Sequence, residues 1–183
     1  MSRVTLIEPA SATPAAAEQL DAVRKALGAV PNLAKALANS PSALKGYLGL
    51  NGALGAGQLS AADRERVSLA VAEVNDCDYC LSAHTYIAAE VAKVGEDEIV
   101  AARRGTSADP RSAAVVELAV KVTETRGSLA DEDLARAREA GLSDAEIVEV
   151  IAGVALNVLT NYVNKALDVD IEWPAVKPLA ELA

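Results

Sequence analysis

The two cysteines of this chain, Cys77 and Cys80, stand three residues apart, and the single histidine, His84, follows four residues after the second. That spacing lets two thiols on one helical turn close a disulfide with little backbone movement. At roughly 100° per residue, Cys80 and His84 lie about 40° apart on a helix face, and Cys77 and His84 about 20° apart. Both sulfurs and the imidazole then share one stripe. Asn75 and Asp76 are both good N-cap residues, which predicts a helix that starts there with the cysteines in its first turn or so. Unsatisfied N–H groups and the helix dipole at such a start favour a thiolate over a thiol. A nucleophilic sulfur, a second thiol to resolve it and a base that titrates near neutrality form a redox set. Its chemistry would be attack on the O–O bond of a peroxide, giving a sulfenic acid that condenses with the neighbouring thiol. An external dithiol would then reopen the disulfide by exchange.

A carboxylate near His84 would orient it or relay its proton, and Glu73 and Glu65 are the candidates. Glu73 stands one turn before Cys77 if the helix is continuous, which Asn75-Asp76 argues against. Glu65 lies on the preceding helix, where only packing brings it near; flanked by Arg64 and Arg66, it also reads as an ordinary solvated charge. Two rival readings of the cysteines stand beside the redox one. They can be buried small hydrophobes, as free Cys often is. Alternatively, Cys-x2-Cys-x3-His supplies three zinc ligands, with Asp76 or Glu73 as a fourth. Structural zinc sites usually draw a second ligand pair from elsewhere, and this chain has no other Cys and no other His.

The elements that must position these residues are helical from end to end, with strand signals nearly absent. Thr13-Pro14 caps and opens a helix to about Gly28. Pro31 and Pro41 begin two shorter pieces, the second fading into the Gly-rich stretch from Gly52 to Gly57. Ser60 to Asp63 reads as a capping box before a helix through about Val74, and the cysteine helix should reach about Gly95. Glu96 to about Arg104 is another short helix. Asp109-Pro110 opens a longer one, with Val115, Val116, Leu118, Ala119 and Val122 on its apolar side. A mostly polar helix follows from about Asp131 to Ala140, and Ser143 to Glu146 caps a long apolar helix to about Leu167. In that last helix Asn157, Asn161 and Asn164 are unusual, because polar groups on a buried face need partners. They can bridge helices, face a subunit boundary or edge a pocket. Tyr47, Tyr79 and Tyr162 can line a pocket, with core or interface packing the default. The tail, with Trp173-Pro174 and Pro178, looks irregular.

The expected architecture is all-α: one domain over 1–183, with a core at about 14–168. Leu59-Ser60 and its sequel loosely echo Leu142-Ser143 and its sequel, which fits either two related helical halves or two ordinary capped helices. A thioredoxin-like domain is disfavoured, because its CxxC follows a strand in a βαβ pattern. Lys+Arg 17 against Asp+Glu 26 gives −9, which argues against nucleic acid or an anionic membrane as partner. Hydrophobic content is 51% but aromatics are only 3%, so the core must be built of Ala, Val, Leu and Ile. No signal-peptide run is visible at the start, and the apolar stretch from Val150 to Leu159 is too short to span a bilayer. A cytoplasmic location follows as the expectation, and there a close cysteine pair is rarely a structural staple.

The string Asn75-Asp76-Cys77-Asp78-Tyr79-Cys80-Leu81-Ser82-Ala83-His84 resembles the alkylhydroperoxidase D-like (carboxymuconolactone decarboxylase) superfamily in its peroxidase-related CxxC branch. The resemblance extends to Val30-Pro31-Asn32 with Ser40-Pro41, to the Arg64-Glu65 helix, and to Gly141 through Glu146 with the helix that follows. It implies an alkyl hydroperoxide reductase with Cys80 as the attacking thiolate, Cys77 as resolving thiol, His84 as base and Glu65 as proton relay. It also implies an AhpD-like helical bundle, a homo-oligomer (trimer or hexamer), no bound cofactor, and reduction by a thioredoxin- or lipoyl-type dithiol. Some family peroxidases carry a second His just before the nucleophilic Cys, where this chain has Tyr79, so the relay is shortened. The decarboxylase namesakes lack the CxxC, which makes decarboxylation the lesser alternative. A non-catalytic redox-sensing or assembly module is the other, and His84 argues against it because a passive staple would not require a base.

Overall fold

A computed structural model describes residues 1–181 and shows nine α-helices and no strand among them. The first, α1 (Pro14–Leu27), starts where Thr13 accepts the Ala16 amide and ends on the left-handed Gly28, as Thr13-Pro14 and Gly28 foretell. Two helices follow, α2 (Asn32–Leu37) and α3 (Pro41–Gly55). The second does not fade at Gly52; it runs unbroken through Gly55, because its inner face is fixed by packing against α1, α2 and the long last helix. Tertiary contact overrides the helix cost of glycine.

The centre of the molecule is α4 (Ala61–Val74), which packs against α5 (Asp78–Glu90), α6 (Glu96–Arg103), α7 (Pro110–Thr125) and α9 (Asp144–Leu167). Its capping Ser60 accepts the Asp63 amide, and buried Asp63 in turn accepts from the Ser112 hydroxyl at 2.8 Å, tying α4 to α7. The small helix α8 (Asp131–Glu139) covers α7 and leads to α9, which opens on the Ser143/Glu146 capping box. Val115, Val116, Leu118, Ala119 and Val122 of α7 are all buried, as their spacing requires. One apolar cluster joins α4, α7, α8 and α9; a second gathers α1, α2, α3, the start of α5 and Val169 of the tail. Both are built mainly from aliphatic side chains and alanine; the second also holds Cys77, Cys80 and Tyr79, the one aromatic buried in either.

Two sequence expectations fail at the junction of α4 and α5. Neither Asn75 nor Asp76 caps α5; the N-cap is Cys77. The reason is the way α4 ends: Asn75 is its C-cap, Asp76 is left-handed at φ 47°, and the Asp76 and Cys77 amides donate to the Glu73 and Ala72 carbonyls. This is a Schellman close, with Asp76 where glycine usually sits. It consumes both residues and delivers Cys77 directly to the start of α5. That helix also stops at Glu90 rather than near Gly95, after which Lys93 turns left-handed.

At 24 residues α9 has the length of a membrane span. Its inner face is instead covered by α3, α4, α5 and α7 and carries the three buried asparagines. The tail beyond α9 is irregular, as expected, but firmly attached. Ser2 donates to Asp170, Asn32 to the Asp170 carbonyl, and the Val176 amide to the Ser82 hydroxyl. Lys177 pairs with Asp78.

Candidate active site

The sulfurs of Cys77 and Cys80 are joined, with the Cα atoms 5.3 Å apart. Because Cys77 is the N-cap of α5, its sulfur accepts the Cys80 amide at 3.4 Å, in the role usually filled by a Ser or Asp oxygen. Both residues are almost fully covered, at 1% and 2% exposure. They differ in what lies beyond: Cys80 forms part of the wall of a cleft of about 760 Å³, and Cys77 does not.

His84, two turns into α5, also lines that cleft. Its Nδ1 lies 2.8 Å from Oε2 of Glu65, on α4. A carboxylate can only accept, so Nδ1 carries the proton and Nε2 is the nitrogen free to act as base. The contact selects between the two candidate carboxylates. Glu65 reaches His84 because α4 and α5 pack side by side; Glu73 is turned the other way, paired with Arg103 at 2.8 Å and accepting the Leu179 amide. Glu65 is therefore not the freely solvated charge that its flanking arginines suggested. Arg64 donates to the Leu59 carbonyl and Arg66 pairs with Asp63 and Glu98.

The rest of the cleft is largely apolar, with Leu48, Ile87 and Leu156 among its walls and Tyr47, Tyr86 and Trp173 around it. Trp173 comes from the tail and packs on Tyr86, ring centroids 5.4 Å apart. Burial, and then the negative charge of Glu65, raise the Tyr47 hydroxyl above its ordinary pKa. Tyr79 sits where a second relay imidazole would stand, but its hydroxyl is occupied: it donates to Glu172 at 2.8 Å and accepts the Leu33 amide at 3.1 Å. Burial raises its pKa well beyond the usual tyrosine value. Tyr79 thus fastens the tail and is unsuited to moving protons near neutrality. Tyr162 lies outside, half exposed on α9.

Sequence reasoning singled out the asparagines of α9 without choosing among their roles. The structure divides them. Asn157 donates to the Gly153 carbonyl, Asn161 accepts from the Asn75 side chain at 2.9 Å, and Asn164 donates to Sγ of Cys80 at 3.3 Å. Asn157 and Asn164 line the cleft and so edge a pocket, while Asn161 and Asn164 bridge α9 to its neighbours and Asn157 bonds only within α9. Trp173 gave no sequence signal, since nothing in an irregular tail tells where it docks. Among the described residues, no group of three or more His, Cys, Asp or Glu is arranged to hold a metal ion.

Fold and site together define a helical bundle that presents one sulfur of a CxxC pair, and a carboxylate-held imidazole, to an apolar cleft. Residues 41–125, the stretch that holds Glu65, Cys77, Cys80 and His84, match the carboxymuconolactone decarboxylase family. Over that stretch the chain is similar to the family, and its all-helical fold is AhpD-like. Among solved structures, an alkylhydroperoxidase AhpD core, a peroxidase-related protein from Ralstonia eutropha JMP134, is 24% identical and superposes with a TM-score of 0.83. The match covers 93% of this chain and 92% of that one. A peroxidase-related protein from Silicibacter sp. TM1040 is also 24% identical, with a TM-score of 0.78 over 92% and 91% of the two chains. A cysteine-to-alanine variant of the debrominase Bmp8, in complex with 2,3,4-tribromopyrrole, is 20% identical, with a TM-score of 0.77 over 94% of each chain. At these identities the likenesses speak for the fold. No curated protein matches the sequence.

Proposed function

We propose that this protein is a thiol-dependent peroxidase that reduces organic hydroperoxides. The observation that carries the reading is the placement of Cys80 and His84 on one cleft wall, with His84 held through Nδ1 by Glu65. In the reduced enzyme His84 Nε2 takes the Cys80 proton. The thiolate attacks the outer oxygen of ROOH, the O–O bond breaks, and the departing alkoxide recovers the proton from His84 as ROH. Cys80 is now a sulfenic acid. The Cys77 thiol attacks its sulfur, water leaves, and the pair is bridged. One hydroperoxide and two thiols give one alcohol, one water and one disulfide. An external dithiol then restores the pair by exchange.

The cleft also bears on the reductant. A thiol must reach a disulfide sulfur directly, and only Cys80 faces the opening. A slender dithiol of the lipoyl type fits that access better than a broad thioredoxin-type face. The enzyme needs no resident cofactor in this scheme, works in a reducing cytoplasm, and uses neither nucleic acid nor membrane. It assembles as a homo-oligomer, for which the outer face of α9 is the support: Val148, Ile151, Ala155, Leu159 and Tyr162 form one exposed apolar stripe.

A halogenated aromatic is the second reading, favoured by the aromatic residues around the cleft and by the tribromopyrrole complex of a protein of the same fold. There the thiolate would take bromine from carbon, the ring carbanion would gain a proton, and Cys77 would expel bromide as the disulfide forms. The two readings separate in one assay: dithiol consumption driven by cumene hydroperoxide or by a bromopyrrole. Hydroperoxide-driven turnover that vanishes in Cys80→Ser is the expected result. Turnover that survives in Cys80→Ser overturns the assignment, and bromopyrrole-driven turnover alone makes the second reading the correct one.

A further inference from the structure

Three facts about Asn164 are not used by the scheme above. It is 3% exposed, its Nδ2 lies 3.3 Å from Sγ of Cys80, and its Oδ1 is buried with no partner. A sulfur without a proton can only accept, so the amino end of the amide must face Cys80, which leaves the oxygen stranded. A leucine would fill the same space without that penalty. Asparagine here sacrifices stability, and such local rule-breaking is what functional positions show.

The two sulfurs meet different surroundings. Cys77 Sγ accepts the Cys80 amide at the helix start, and lies 3.9 Å from the Asn161 carbonyl oxygen. A carbonyl rewards a protonated sulfur and repels a charged one. Cys80 Sγ meets the Asn164 N–H, a donor that rewards charge. The helix start alone would favour charge on Cys77, the capping sulfur, which the cleft does not reach. His84 takes the Cys80 proton in the proposed cycle, and a donor in contact with the sulfur would hold the charge there. The titratable groups near the pair are Asp76, Asp78, Tyr79 and His84 along the chain, Tyr47, Glu65 and Glu172 on the cleft with Cys80, and Lys165 of α9, which reaches Asn75. Of these, Lys165 is committed to the Asn75 carbonyl and Tyr79 to Glu172.

We propose that Asn164 selects Cys80 as the charged sulfur of the reduced pair, its side-chain N–H holding the thiolate on the cleft side ready to attack. The inference rests on the dithiol reading and adds a third helix, α9, to the catalytic set. No bond to Asn164 forms or breaks; it stabilises one protonation state of a neighbouring atom.

The test is the pH profile of Cys80 alkylation by iodoacetamide in the full-length reduced protein, read by mass spectrometry on the Cys80 peptide. Unsubstituted protein should inflect below the ordinary thiol value of about 8.5. Asn164→Leu should move the inflection up by about one to two units, so that alkylation at neutral pH slows roughly tenfold or more. Asn164→Asp, which keeps the shape but replaces the donor with a carboxylate, should move it further. Inflections in folded variants that coincide with the unsubstituted one overturn the inference. If neither variant folds, the Asn164 side-chain amide resonance of the unsubstituted protein decides: it must shift as Cys80 titrates, and a resonance that stays still overturns the proposal. Hydroperoxide turnover measured alongside separates the two claims. Turnover retained with an unmoved inflection removes only the role of Asn164, whereas an ordinary inflection in the unsubstituted protein removes both.

Discussion

At the scale of single residues, the proposed cycle depends most on the contact between His84 and Glu65, which orients the base beside Cys80. Glu65→Gln keeps size and packing but no longer matches a protonated Nδ1 with a charge. Turnover is expected to fall about 100-fold, as for loss of an oriented general base, with little change in melting temperature. A fall below threefold in steady-state assays would show that the pair only packs. Tyr79→Phe should behave in the opposite way. Removing its hydroxyl strands the Leu33 amide and frees Glu172, costing about 1–3 kcal/mol in denaturant unfolding while leaving turnover within a few-fold. A loss of turnover far beyond that would give the tyrosine a part in proton relay. The shared face of Cys80 and His84 was legible in the sequence because positions four apart on one helix depend only on spacing; Cys77 departs from that stripe, because it caps α5 from outside and does not reach the cleft. Glu65 was not legible from the residues alone: its partner lies nineteen positions away on another helix, and only the family resemblance singled it out. Asn164 stood out as a polar residue in an apolar helix, but the contact with Cys80 spans 84 positions and follows from packing.

At the scale of elements, the caps carried most of the readable information. Thr13, Ser60, Asp109 and Ser143 each accept the amide their position foretells, and the helices after them start where expected. The exception lies beside the reactive pair, where Asn and Asp look the same to sequence rules whether they open a helix or close one. The left-handed Asp76 gives a way to tell these apart. Asp76→Gly removes the strain of a side chain at positive φ and should raise stability by about 0.5–1 kcal/mol in denaturant unfolding. If Asp76 capped α5, the same change would be slightly destabilising. The tail escaped sequence rules for a different reason. It has no period, and its attachments run through side chains of Glu73, Asp78, Ser82 and Asn32 on three different helices.

At the scale of the whole molecule, charge and assembly can be tested together. The Glu146 carboxyl is held below its ordinary pKa by the Ser143 amide, then the Ser143 hydroxyl and Arg111; Glu98 is held low by the Ser107 hydroxyl and the Ala108 amide. A carboxylate lowered by folding stabilises the native state above its unfolded range, and that contribution is lost as pH falls through the lowered native value. Melting temperature should therefore drop on acidification below the usual carboxylate range, and Glu146→Gln should lower it at neutral pH while flattening the drop. A parallel drop in the variant would contradict the assignment. The apolar stripe on α9 predicts that Ile151→Glu with Leu159→Glu reduces the mass seen by light scattering; an unchanged mass would place any self-association elsewhere.

The dithiol cycle itself is tested most directly by a single turnover. Reduced protein mixed with one equivalent of cumene hydroperoxide, without external reductant, should lose two thiols for each cumyl alcohol formed and end with Cys77 bonded to Cys80. Alcohol formed with both thiols still free, or thiols untouched while the hydroperoxide persists, would contradict it.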